Sequence, residues 1–108
     1  MKLVYIAGRY RAKTLVGRLW NIWKARRAAK RLSREGWCVV CPHMNTAMLD
    51  GHQPDSFWLD CGLELLARCN AIYMLEGWQW SVGACREWQL AKELELDIYY
   101  DGVSRGKL

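Results

Sequence analysis

Glu87 lies in EGWQWSVGACREWQLAKELE (residues 76–95), a stretch that reads as a strand end, a turn bearing serine and glycine, and the opening of a helix. At about 100° per residue, Ala84, Glu87, Ala91 and Leu94 share one helix face, so a carboxylate sits on the stripe that should pack against a sheet. Burial there pushes a carboxyl pKa up. The free N–H groups and positive dipole end of a helix start act the other way, favouring the ionised form or an approaching anion. Ser81 and Gly83 stand where such a turn can hold a phosphate or a sugar hydroxyl. The same residues admit a plain structural reading, with Ser81 as the helix cap and Glu87 as an early-helix acid.

Other chemistry-bearing residues point elsewhere. Five cysteines, an odd number without a secretory pattern, suit free thiols better than a disulfide framework. Cys38 and Cys41 have C-x-x-C spacing but lie inside WCVVC, which reads as a strand. Their side chains then face opposite ways, unsuited to a redox turn or a zinc site, so no metal and no cofactor is expected. The net charge of +5 comes mostly from Arg18, Lys24, Arg26, Arg27, Lys30, Arg31 and Arg34, interleaved with Leu15, Leu19, Ile22, Ala25, Ala29 and Leu32 at helical spacing. That pattern describes one amphipathic helix with a solvated basic face. The seven tryptophans follow no RNA-binding or helix-turn-helix pattern, so polymeric nucleic acid is not the expected partner. Small anionic ligands fit the charge better.

These residues need a scaffold, and 108 residues provide one domain, with a core over 1–100 and a frayed tail at 101–108. No segment has the roughly 20 apolar residues of a membrane span, and MKLVYIAG lacks a cleavage pattern, so a cytoplasmic location is expected. Strands are expected at LVYIA (3–7), WCVVC (37–41), AIYML (71–75) and DIYY (97–100). Helices are expected from a Thr14 cap to Gly36, from Pro54 with Asp55 or Ser56 as cap and Leu59, Leu63 and Leu66 inward, and through Glu87. HMNTAMLDGHQ (43–53) shows no period and reads as a loop, of a length that is often functional. Alternation of strand and helix gives a parallel sheet with right-handed crossovers, helices on both faces and ligands at the carboxyl ends of the strands. Three turns meet there, Gly8 to Arg11, Pro42 to Asn45 and Gly77 to Gly83, bringing Gly8, Arg9, Tyr10, Arg11, His43, Asn45, Trp78, Ser81 and Gly83 forward as candidate ligand-binding residues.

VYIAG with Tyr10 and Arg11, then CPHMNT, then MLEGWQWSVGACREWQLA resembles the nucleoside 2-deoxyribosyltransferase-like superfamily, most closely its small DUF4406-type members of phage and bacteria. The resemblance covers roughly residues 3 to 100, and its G-W-x-x-S-x-G-A-x-x-E core is the most specific part. It implies a flavodoxin-like three-layer sandwich with a four-stranded or slightly larger parallel sheet. It also implies cleavage or transfer of N-glycosidic bonds in nucleosides or their monophosphates, often in a site completed by a neighbouring subunit. On this chain Glu87 matches the nucleophile, Ser81 and Gly83 the turn holding the 5′ end of the ligand, and Gly8, Tyr10 and Arg11 the loop closing over sugar or base.

The chain departs from that pattern at three places. Gly62 in CGLELL stands where relatives carry an aspartate, Asn70 in CNA replaces another, and Arg9 follows Gly8 where a proline is usual. Asp60 and Glu64 do not replace the missing acid, because a step of two residues turns a helical side chain by about 200°. Two functions follow. One is an N-glycosidase or transferase acting through Glu87. The other is a catalytically silent binder that sequesters a nucleotide or nucleotide-derived signal, such as a phage counter-defence protein. Gly62→Asp is expected to create or raise base release. A homo-oligomer is expected too, with Trp58, Trp78, Trp80 and Trp88 at or near its interface.

Overall fold

A computed structural model describes residues 1–10, 12–42 and 53–102 of the chain. Among the described residues, four strands, β1 (Leu3–Ala7), β2 (Cys38–Val40), β3 (Ala71–Met74) and β4 (Asp97–Tyr100), form one parallel sheet in the order β2-β1-β3-β4. Helices α1 (Leu15–Arg34), α2 (Asp55–Leu66) and α3 (Val82–Glu93) lie between them, the last preceded by a 3₁₀ turn at Trp78–Trp80. The register pairs Tyr5 with Val40 on one side and with Ile72 on the other. This is an α/β fold of flavodoxin-like, three-layer type. The strand order reverses between β1 and β3, so the switch point lies where Ala7 and Met74 end adjacent strands.

Alternation along each strand splits the core in two. Val4, Ile6, Ala71 and Tyr73 pack under Ala25, Ala28 and Leu32 of α1. On the other face Tyr5, Ala7, Ile72 and Met74 pack with Leu66 of α2 and with Ala84 and Ala91 of α3. Covered on both faces, Val4 to Ala7 of β1 and all of β3 are buried, and the two strands read as continuous apolar runs for that reason.

Helix ends follow the residues that can satisfy them. Thr14 caps α1, its Oγ1 accepting from the Gly17 N–H at 3.0 Å, and Gly36 follows at a φ of 95°, a left-handed conformation that favours glycine. The cap expected at Asp55 or Ser56 stands instead at Pro54, which has no side-chain acceptor, so both of those residues belong to the helix. Leu94, expected on the buried face of α3, is the C-cap and is exposed, because α3 ends at Glu93 and the chain turns through Glu95 at a φ of 56°.

Two larger differences concern α1 and the tail. The buried positions of α1 are Asn21, Ala25, Ala28 and Leu32, whereas Leu15 and Leu19 of the expected apolar stripe are exposed. Extended backwards at helical spacing, the inward face carries Gly17 and Arg18, so the apolar residues of the first two turns point outward. At the other end, Asp101 is no frayed residue. Its N–H donates to the Met74 carbonyl at 2.8 Å, and its carboxylate accepts from the Tyr73 hydroxyl at 2.8 Å and pairs with Arg31 at 3.3 Å. Burial, followed by this bond to an anion, raises the Tyr73 pKa to about 12.

Candidate functional site

Glu87 lies on the second turn of α3, a helix whose start is set by Ser81. The Ser81 Oγ accepts from the Ala84 N–H at 3.1 Å, so this side chain caps the helix as the plain reading expects. Six residues on, at about 1.5 Å per residue, Glu87 stands roughly 9 Å further along the axis and meets the sheet at mid-strand, not at the strand ends. There it accepts a hydrogen bond from the hydroxyl of Tyr5 in β1. Tyr5 is wholly buried and Glu87 is 9% exposed.

The third member of the site is an absence of side chain. A Cβ placed on Gly62 would lie 2.6 Å from the Tyr5 hydroxyl oxygen and 3.2 Å from Glu87 Oε2. The position that the resemblance gives to a catalytic aspartate therefore does face Glu87, and here glycine leaves room for the tyrosine hydroxyl. A side chain at 62 and the Tyr5 hydroxyl claim the same space, so an aspartate placed there requires Tyr5 to give way before it can stand beside Glu87. Asp60 and Glu64 are exposed, and Glu64 pairs with Arg68 at 3.0 Å, as the helix geometry requires. Asn70 is not part of the site. Its Oδ1 accepts from the Leu3 N–H at 2.8 Å and its own N–H donates to the Leu3 carbonyl, which fastens the start of β3 to the start of β1.

Electrostatics perturb the Glu87 carboxyl strongly. Burial raises its pKa to about 7, against the smaller lowering effect of the Tyr5 hydrogen bond. The Tyr5 phenol is pushed far above its ordinary range, first by burial and then by the adjacent carboxylate, so it remains a donor at any accessible pH. Near neutrality the pair thus holds a carboxyl that gains and loses its proton beside a permanent neutral donor. Such a group can act as nucleophile, acid or base towards a ligand that reaches it.

The other candidates divide. Gly8 is buried at the end of β1, where a Cβ would lie 2.7 Å from Leu75 Cβ, so the absence of a side chain lets the ends of β1 and β3 close together at the switch point. Arg9 is exposed beside it. The carbonyl of Tyr10 accepts from Asn21 Nδ2 of α1 at 3.2 Å, which ties this turn to the inward polar face of α1. Trp78 packs against Trp88, with ring centroids 5.2 Å apart, and Trp88 Nε1 donates to the Tyr100 hydroxyl at 3.0 Å. These two tryptophans pack on the core within the fold, leaving Trp80 as the exposed member of that group. A Cβ on Gly83 would make only an ordinary 3.6 Å contact with Leu59. Arg11, His43 and Asn45 lie outside the described residues. The strand expected over 37–41 is limited to Cys38–Val40; Cys38 is exposed on it and Cys41, just past its end, is buried.

Sequence reasoning missed Tyr5. Its signal was present, since a tyrosine within a fully apolar strand needs a partner for its hydroxyl, but the partner is 82 residues away. No helix among the described residues is long and apolar enough to cross a membrane. No curated protein matches the chain. A family model described as a domain of unknown function, DUF4406, matches residues 2–100, and with that span matched the chain belongs to the DUF4406 family.

Proposed function

We propose that this protein binds a nucleoside, a nucleoside monophosphate or a related nucleotide-derived molecule with its sugar directed at Glu87, and that it releases the base slowly or not at all. The observation that carries this reading is the buried Glu87 carboxyl held by Tyr5 beneath Gly62. A carboxylate with a neutral donor on one oxygen has its other oxygen available to a sugar hydroxyl or to an anomeric carbon. Glycosidic cleavage also needs a proton for the departing base. Position 62 offers none, and the loss of a general acid costs on the order of 10²–10⁴-fold in rate. Ser81 and the neighbouring N–H groups of α3 support the 5′ end of the ligand in this reading.

A second reading, turnover through Glu87 as nucleophile, is favoured by its pKa of about 7, which leaves a large ionised fraction at neutral pH. Incubation with a panel of nucleosides and 5′-monophosphates separates the two, with free base read by chromatography and retained ligand by native mass spectrometry. Retention of intact ligand, lost or weakened in Glu87→Gln, is the expected result. Base release that rises with pH towards 7 and vanishes in Glu87→Gln decides for turnover. If no member of the panel is bound or cleaved, Glu87 and Tyr5 are a packing pair and the proposal fails.

A further inference from the structure

The outward face of the first turns of α1 carries Leu15, Val16, Leu19, Trp20 and Trp23, each between 48% and 77% exposed. Their angular positions fall within about 140° of one another, so they form one contiguous stripe. Trp20 and Trp23 are stacked on each other at 5.0 Å between centroids, so the two rings act as one aromatic block on this face. The inward side of the same turns is polar, with Asn21 bound to the Tyr10 carbonyl. In these first turns the polar side faces inward and the apolar side faces solvent, the reverse of an ordinary surface helix, while Ala25, Ala28 and Leu32 further along keep the usual apolar side on the sheet.

We propose that this stripe is the interface of an antiparallel, two-fold homodimer in which α1 of one protomer packs on α1 of its partner. Five large side chains, each at about half exposure or more, present on the order of 500 Å² of apolar surface, towards the upper end for the largest patch of a monomer. It matches the apolar core of a standard interface of about 800 Å² per partner, whose remainder is polar rim. A second copy also fits by symmetry. The stripe is centred on Leu19, so a two-fold axis there sets Leu15 and Val16 of each protomer against Trp23 and Trp20 of its partner.

Charge decides between a second copy and an anionic membrane. Continued along the same outward face, the stripe becomes Arg26, Arg27, Lys30 and Arg34. A helix lying in a membrane interface carries its cations on the face opposite the apolar one, whereas these follow it end to end. In the antiparallel pair the two cationic segments run away from the axis in opposite directions. Arg26 of one protomer and Arg26 of its partner come no nearer than about 20 Å, roughly twice the Debye length at physiological ionic strength, so their repulsion is screened. Arg27 lies over the Trp23 ring at 5.6 Å from its centroid, so a guanidinium covers one face of that ring where the apolar stripe passes into the cationic one.

Sedimentation velocity at tens of micromolar, with circular dichroism as a check on folding, tests the proposal on the wild-type chain and on Leu19→Glu, Val16→Lys and Trp80→Glu. The expected result is a wild-type dimer whose dissociation constant weakens by more than about thirtyfold in Leu19→Glu, as for the loss of a central interface anchor, and is unchanged in Trp80→Glu. Val16 is the most exposed of the five, so Val16→Lys weakens the dimer without burdening the fold if Leu19→Glu fails to fold. A monomeric wild type, a dimer indifferent to both α1 variants, or a dimer lost in Trp80→Glu alone overturns the proposal. A monomer that floats with phosphatidylserine vesicles and not with phosphatidylcholine vesicles overturns it in favour of a membrane surface.

Discussion

Burial and hydrogen bonding pull the Glu87 carboxyl in opposite directions, and burial wins, leaving its pKa near 7. A carboxyl whose pKa is higher folded than unfolded binds more protons in the folded state between the two values, so stability falls as pH rises through that window. The window runs from the ordinary 4.5 to about 7, and the whole effect is about 3 kcal/mol. Glu87→Gln keeps an acceptor for the Tyr5 hydroxyl and has no proton to lose. Urea unfolding of the variant at pH 5, 6, 7 and 8 should therefore lack the wild-type decline over this range and should match or exceed wild-type stability at pH 8. An unchanged slope in the variant would show that Glu87 titrates normally.

Three elements meet at Gly62, and their approach is set by the space that a missing Cβ provides. Gly62→Ala places a methyl 2.6 Å from the Tyr5 hydroxyl oxygen, which is pinned by Glu87 and cannot swing aside, so a cost of about 1–3 kcal/mol is expected despite the better helix propensity of alanine. Tyr5→Phe removes the atom in the way; the nearest remaining tyrosine atom is 3.8 Å from that Cβ. A double-mutant cycle measured by chemical denaturation should accordingly show coupling, with Gly62→Ala costing far less in the Tyr5→Phe background. Additive effects would mean that α2 stands farther from β1 than described. The same geometry makes Tyr5→Phe the background in which Gly62→Asp can place an acid beside Glu87.

At the scale of the whole molecule, the described residues form a single sheet with a core on each face, and the two cores share β1 and β3. Tryptophans report on both faces: Trp37 packs with the α1 core, and Trp78 and Trp88 with the opposite one. Because neither face can lose its packing while the strands remain paired for the other, unfolding is expected to be one cooperative transition. Tryptophan fluorescence and far-ultraviolet circular dichroism should trace superimposable urea curves at fixed protein concentration. Two separated transitions would divide the chain into independently stable units and contradict the single domain.

Much of this architecture is written in local pattern. LVYIA and DIYY are strands at the expected residues, Thr14 and Gly36 bound α1 as their types require, and the periodicity around Ala84, Glu87 and Ala91 does put Glu87 inward. These features depend on neighbours in the chain, through backbone preference, capping and the 3.6-residue repeat. The partner of Glu87 was beyond such reasoning, because a strand pattern says which residues face a sheet side but not which helix residue lands above them. Only the order β2-β1-β3-β4 brings α2 and α3 together over β1 and so sets Gly62, Tyr5 and Glu87 in contact. The same limit explains α1, whose apolar residues at Leu15 and Leu19 fit an inward stripe as well as Asn21 and Ala25 do. Which of two overlapping faces is buried depends on where the helix crosses the sheet, and crossing is a property of the packed layers, not of the segment.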